Sequence, residues 1–228
     1  MTVRCIGSLI AGLVTILTID AAAAKDWSGL SGRVGYAFGN GDFTLTHEHE
    51  VLPLGTILRV STEGELNMVG VAYRWKLGNR LYAGAKVDFY NGDLVGQRSH
   101  NYHGLESSFN FRTTLTGTVG GQLSYAFGVR ERLLGYVGAG AAASKANIHA
   151  AAAYEDFVVV KDWDGGALGP YFELGANYAF SDKVSGFVEV KKFFYEVSDS
   201  CSIEGYDCGR ATASTKPVVL TVGLEIAF

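Results

Sequence analysis

The stretch that decides the fold runs from Pro217 to Phe228 and reads PVVLTVGLEIAF. Val218, Leu220, Val222, Leu224, Ile226 and Phe228 are apolar, and Thr221, Gly223, Glu225 and Ala227 between them are small or polar. Alternation with a period of two describes a strand with two different faces. A run of ~9–11 residues with one apolar face also fits a tilted strand crossing a bilayer.

Segments of the same kind recur upstream. Alternation marks strands at Gly29–Phe38, Leu66–Leu77, Leu81–Tyr90, Ser108–Phe127, Leu133–Asn147, Ala167–Phe180 and Val184–Tyr195. With the terminal stretch this makes eight. Within Leu133–Asn147 both faces are small and apolar, and an Ala-rich helix over Ala139–Ala153 competes, weakened by nearby glycines. The KKFFY at the end of the seventh strand suggests a bulge. The connections alternate in length. Short turns lie at Gly78–Arg80, Gly128–Arg132 and Ser181–Lys183, and long polar stretches separate the other strands. That asymmetry is the layout of a transmembrane barrel, with short turns at one end and long loops at the other.

The two faces of these strands carry different chemistry. Arg33, Arg74, Lys86, Asp88, Arg112, Glu173, Glu189, Lys191 and Glu225 lie opposite the apolar face. A secreted soluble barrel with its apolar face inward would leave these charges on its surface. Inside a narrow barrel they must pair, because an unpaired buried charge is costly. The expected architecture is therefore an eight-stranded antiparallel up-and-down transmembrane β-barrel. Apolar residues face lipid, a salt-bridged network plugs the interior, and four long loops lie outside. Aromatic residues gather at both strand ends, as two membrane interfaces favour. Tyr73, Trp75, Tyr125, Phe127, Tyr136, Tyr178, Phe180 and Phe228 mark the short-turn end. Phe38, Phe89, Tyr90, Phe109, Phe111, Phe193, Phe194 and Tyr195 mark the other.

Composition agrees. In 228 residues there are 30 Gly and 3 Pro, aromatics make up 12%, and the net charge of −4 gives no basic field for nucleic acid. Residues 1–24 read as a secretory signal peptide: Arg4, an apolar run from Cys5 to Ile19, and small residues before Lys25. Residues 25–228 then form the barrel domain. Two cysteines remain, Cys201 and Cys208, in a polar, turn-rich stretch. An oxidising compartment favours a disulfide over a metal or reactive-thiol site, since no further Cys or nearby His completes a ligand set.

These features resemble the small outer-membrane β-barrels of Gram-negative bacteria, of the OmpA-like transmembrane-domain and opacity-protein-like (porin family) groups. The resemblance covers essentially the whole mature chain. It implies residence in the outer membrane and contact with lipid and lipopolysaccharide. It also implies that Val222, Leu224, Ile226 and the terminal Phe228 act as a signal to the barrel assembly machinery. Full-length OmpA differs in carrying a periplasmic peptidoglycan-binding domain, which is not expected here.

The expected function is structural or surface-interacting, exercised by a monomer whose loops contact lipopolysaccharide or an external partner. The alternative is an enzyme acting on lipid A or phospholipid (acylase- or acyltransferase-like), with a His, a Ser and an acid at the outer rim. His100 with Ser99, or His103 with Ser107 and Glu106, would be its candidates. No spacing matches such a motif, so no catalytic residue is assigned. The other histidines, His47, His49 and His149, also fall in polar stretches. Two His at i, i+2 are a weak metal signal, and neither a metal ligand nor a cofactor is assigned.

Overall fold

The computed structural model describes residues 24–48, 56–102, 105–154, 157–203 and 206–228. The signal peptide expected at 1–24 lies outside the described residues except for Ala24, as do His49 and His103. Ten strands follow in order: β1 (Gly29–Glu48), β2 (Thr56–Lys76), β3 (Leu81–Tyr102), β4 (Leu105–Phe127), β5 (Leu133–Tyr154), β6 (Phe157–Ala179), β7 (Val184–Phe193), β8 (Tyr195–Ile203), β9 (Tyr206–Thr215) and β10 (Val218–Ala227). They close into a ring of eight. β7 and β8 are one strand interrupted at Phe194, and β9 and β10 are one strand interrupted at Lys216 and Pro217. Proline has no N–H to give a ladder, so it sits where pairing changes hands. Below the break β1 pairs with β10, from Ser31↔Ala227 to Asn40↔Val218. Above it β1 pairs with β9, from Phe43↔Thr215 to Glu48↔Arg210. The stretch PVVLTVGLEIAF thus closes the barrel against β1 and leaves no edge there.

The four outer connections are long, and most of their described length continues the strands. β1 to β6 run 20 to 23 residues each, about twice what a bilayer needs. The competing helix over Ala139–Ala153 does not form; β5 is paired on both sides through that stretch. Partners across two ladders outweigh the modest helix preference of alanine.

In the lower half the outward side chains are apolar. Val34, Tyr36, Phe38, Val69, Val71, Val119, Leu123, Leu174, Val188 and Leu220 are all exposed. Two rings of aromatics bound this band. Tyr73, Trp75, Tyr125, Phe127, Tyr178 and Phe228 form the lower ring. Phe38, Phe89 and Phe172 mark the upper edge, with Phe172 meeting Phe194 edge to face at 6.1 Å. Tyr136, expected in the lower ring, points inward, and so do Tyr90, Phe111, Phe193 and Tyr195, expected in the upper one.

One charged residue differs in face from expectation. Arg112 lies outside, its side chain 60% exposed and 3.5 Å from Asp93. The reason is a bulge in β4. Leu115 faces Ser144 and Gly117 faces Ala143, so Thr116 is the extra residue. One added residue flips every side chain beyond it to the other face. Odd positions of β4 point to lipid below the bulge (Val119, Leu123) and into the barrel above it (Leu115, Phe111).

The short turns lie together at the lower end, and residues 25–27 fold beneath the barrel there. Trp27 is 4% exposed and donates from Nε1 to the Glu131 carbonyl at 2.7 Å. The Lys25 ammonium donates to the Asp182 carbonyl, and its backbone N–H to that of Arg130. Burial depresses the Lys25 ammonium below its ordinary range, opposed by nearby Asp182. Trp27 completes an apolar floor with Tyr82, Ala126, Leu134 and Ala179.

Candidate functional site

The interior is built in layers. Above the floor lies a charge cluster contributed by six strands. It unites Arg33, Arg74, Lys86 and Lys191 with Asp88, Glu173, Glu189 and Glu225, four cations with four carboxylates. Their side chains are at most 4% exposed. Arg33 bridges Asp88 at 2.9 Å and Glu189 at 3.1 Å. Lys191 reaches Asp88 at 2.6 Å and Glu189 at 2.7 Å, and Lys86 reaches Glu173 at 2.7 Å. Arg74 grips Glu225 with both terminal nitrogens, at 2.5 and 2.9 Å. Glu225 also accepts from Asn177 at 2.8 Å, and Arg33 Nε stands 3.5 Å from it.

Neutral groups complete the cluster. Tyr136 donates to Glu189 at 2.8 Å, and Lys191 donates to Tyr90 at 2.7 Å. The Arg33 guanidinium lies 4.2 Å from the Phe187 ring centre. These inward aromatics are functional neighbours that alternation at the strand ends could not assign. The signal available was parity: Tyr90 shares it with Asp88, and Tyr136 shares it with Leu134.

Above the charges the interior becomes apolar. Leu66, Met68, Leu94, Leu115, Phe193 and Val219 form one buried layer. Phe43, Val60, Phe111 and Ala146 form the next, with Phe43 and Phe111 stacked at 4.0 Å. The outward face at this height is polar instead. Arg59 and Asp42 pair in the open at 2.9 Å, with Ser61, Glu63 and Gln97 also on this face.

The remaining expected residues fall as follows. Val222 and Ile226 are exposed on the outer wall with Phe228, whose N–H donates to the Leu30 carbonyl at 3.1 Å; Leu224 is half-buried. Cys201 and Cys208 lie on the facing strands β8 and β9, where Cys201 pairs with Gly209. Their side chains lie outside the described residues. The β3–β4 register sets His100 opposite Ser107 and Asn101 opposite Glu106. The side chains of that candidate rim site also lie outside the described residues.

The profile of the outer membrane protein beta-barrel domain family matches residues 9–226. The chain belongs to that family, and it is a protein of the outer membrane. It is 30% identical over 126 residues to the 31 kDa outer-membrane immunogenic protein of Brucella melitensis, and equally to that of Brucella suis. The match takes in 55% of this chain, which spans about half (51%) the length of those relatives. Among solved structures, the outer membrane protein OprG of Pseudomonas aeruginosa aligns with a TM-score of 0.52 at 12% identity, covering 92% of this chain and 99% of that one. The outer membrane protease OmpT of Escherichia coli aligns at 0.50 with 8% identity, covering 92% and 99%. Such identities speak for a shared barrel fold and not for a shared activity.

Proposed function

We propose that this barrel is a closed outer-membrane scaffold that presents its outer extension to lipopolysaccharide and to an external partner, and that it conducts no solutes. The layered interior carries this reading. An eight-stranded barrel leaves room only for side chains. Here that room is filled by a charge-neutral cluster between an apolar floor and apolar upper layers. An ion would have to break several buried pairs and then cross a stack of Leu, Met and Phe. The strands invest about half their length beyond the membrane band, where an exposed polar wall can meet partners. The relatives' name, outer-membrane immunogenic protein, is in keeping with surface display.

The test is influx into liposomes holding the refolded protein. Small sugars are expected to enter no faster than into empty liposomes. Swelling at the rate of a general porin refutes the closed reading. In the outer hairpin β8–β9, a Cys201–Cys208 disulfide would hold the tip in one register. The intact mass of the exported protein should then be lower by two hydrogen atoms than that of its reduced form, with no thiol labelled before reduction. Free thiols in the exported protein would refute that bond.

A further inference from the structure

The outer wall is not smooth at the height where the apolar band stops. A hollow of about 820 Å³ crosses β3, β2, β1, β10 and β7 there, on the outward face. It lies beside the break at Lys216 and Pro217. At Gly41 the chain comes so close that an added Cβ would lie 2.6 Å from the Pro217 Cα.

The register fixes what faces the groove. Lys192, Val218, Asn40 and Glu63 form one outward row across four strands. Lys216 stands beside Asp42, to whose carbonyl its N–H donates, and Asp42 pairs with Ser61 in the row above. The row beneath is Val190, Leu220 and Phe38 on β7, β10 and β1, and it continues to Glu65 on β2. Two residues along a strand cover about 6.6 Å. On β7, β10 and β1 the groove thus adjoins the upper edge of the apolar band.

Its lysines gather toward one end, beside Asp42, and Glu63 lies toward the other. Lys192 and Lys216 occupy one end and have no carboxylate partner among the described residues. Asn40, Glu63 and Gln97 occupy the other. Asp42 is engaged by Arg59 at 2.9 Å. Lys192 and Glu63 are three strands apart, roughly 14 Å at the usual strand spacing. We infer that this groove binds the phosphorylated sugar headgroup of an outer-leaflet glycolipid. Its phosphate lies between Lys192 and Lys216, and its sugar hydroxyls meet Asn40, Glu63 and Gln97. Lysine serves phosphate as a point charge, and amide and carboxylate groups suit hydroxyls. A phosphorylated glycolipid presents both chemistries on one molecule and is held at this depth by its acyl chains. The inference rests on reading the outward apolar face as the membrane wall, and it names the lipid that wall selects.

The experiment measures lipid kept by the refolded, detergent-solubilised protein after detergent exchange, by native mass spectrometry. The probes are bisphosphorylated lipid A and its dephosphorylated form. Wild type and Lys183→Gln, changed at the opposite end, are expected to keep the phosphorylated lipid. Lys192→Gln/Lys216→Gln is expected to keep about tenfold less, and neither protein is expected to keep the dephosphorylated form. Heat-modifiable migration shows that each variant is folded. Equal retention by the double variant overturns the inference, as does equal retention of the dephosphorylated lipid. Release of the lipid by millimolar inorganic phosphate would mark a small-anion site and overturns it too. Solute influx does not enter this readout, so its failure is distinct from failure of the closed-barrel reading.

Discussion

The lower and upper halves of this barrel are inverted copies of one another in polarity. Along β1, from Leu30 to Phe43, the even residues face out and the odd residues face in. In the lower half the outward residues are Val34, Tyr36 and Phe38, and the inward one with charge is Arg33. In the upper half the outward residues are Asn40 and Asp42, and the inward one is Phe43. Parity does not change over this stretch; only the medium outside does. Lipid demands apolar side chains and lets a narrow lumen hold polar ones, provided they pair. Water reverses both preferences. A charge pair therefore has different value at the two heights.

The sharpest way to break the comparison is at Glu189. Replacing it with Leu leaves Arg33, Lys86 and Lys191 short of a carboxylate in a dry lumen, and should cost about 3–5 kcal/mol. A shift of the urea unfolding midpoint in micelles measures this. A cost below ~1 kcal/mol would mean that water reaches the cluster. In the upper half the corresponding loss is packing. Leu115→Ala should cost about 2–5 kcal/mol by leaving a cavity in the apolar layer, read the same way. An unchanged midpoint would show that this layer contributes no stability.

At the upper surface Arg59→Ala removes an exposed pair and should cost under ~1 kcal/mol. The contrast with Glu189 is the comparison in its purest form. Loss of more than the Leu115 variant loses would refute it.

The smallest effect belongs to the lower rim. Asp26 accepts the Ser28 N–H at 3.0 Å, which holds its carboxyl below the usual carboxylate range. A lowered acid stabilises the fold above its unfolded pKa, near 3.9, and that gain fades as pH falls through the folded value. Asp26→Ala should thus differ from wild type by less than ~0.5 kcal/mol at pH 7 and not at all in strong acid. A difference that grows on acidification contradicts the assignment.

The inversion explains what is legible in the sequence alone. The eight lower segments were legible because lipid-facing strands alternate apolar with small or polar. Most of the charge cluster followed from the same parity. The upper strands read as loops in the sequence because their outward residues are polar and glycine is frequent. Yet Leu58, Val60, Thr62, Gly64 and Leu66 keep a period of two, and that was the available signal. Arg112 was misplaced because a bulge has no fixed sequence mark; Thr116 is an ordinary strand residue. The groove was invisible because Lys192, Lys216 and Asn40 come from distant parts of the chain.

By itself, then, the sequence determined the closing strand Val218–Ala227, the number of strands in the ring and the face that meets lipid. Each of these is a periodicity within one segment, and each strand must satisfy it alone. Only the tertiary structure decided which charges meet, where the lumen turns from ionic to apolar, and which residues gather around the groove beside Pro217. Those depend on ladder register, strand breaks and one extra residue in β4, which are settled between strands.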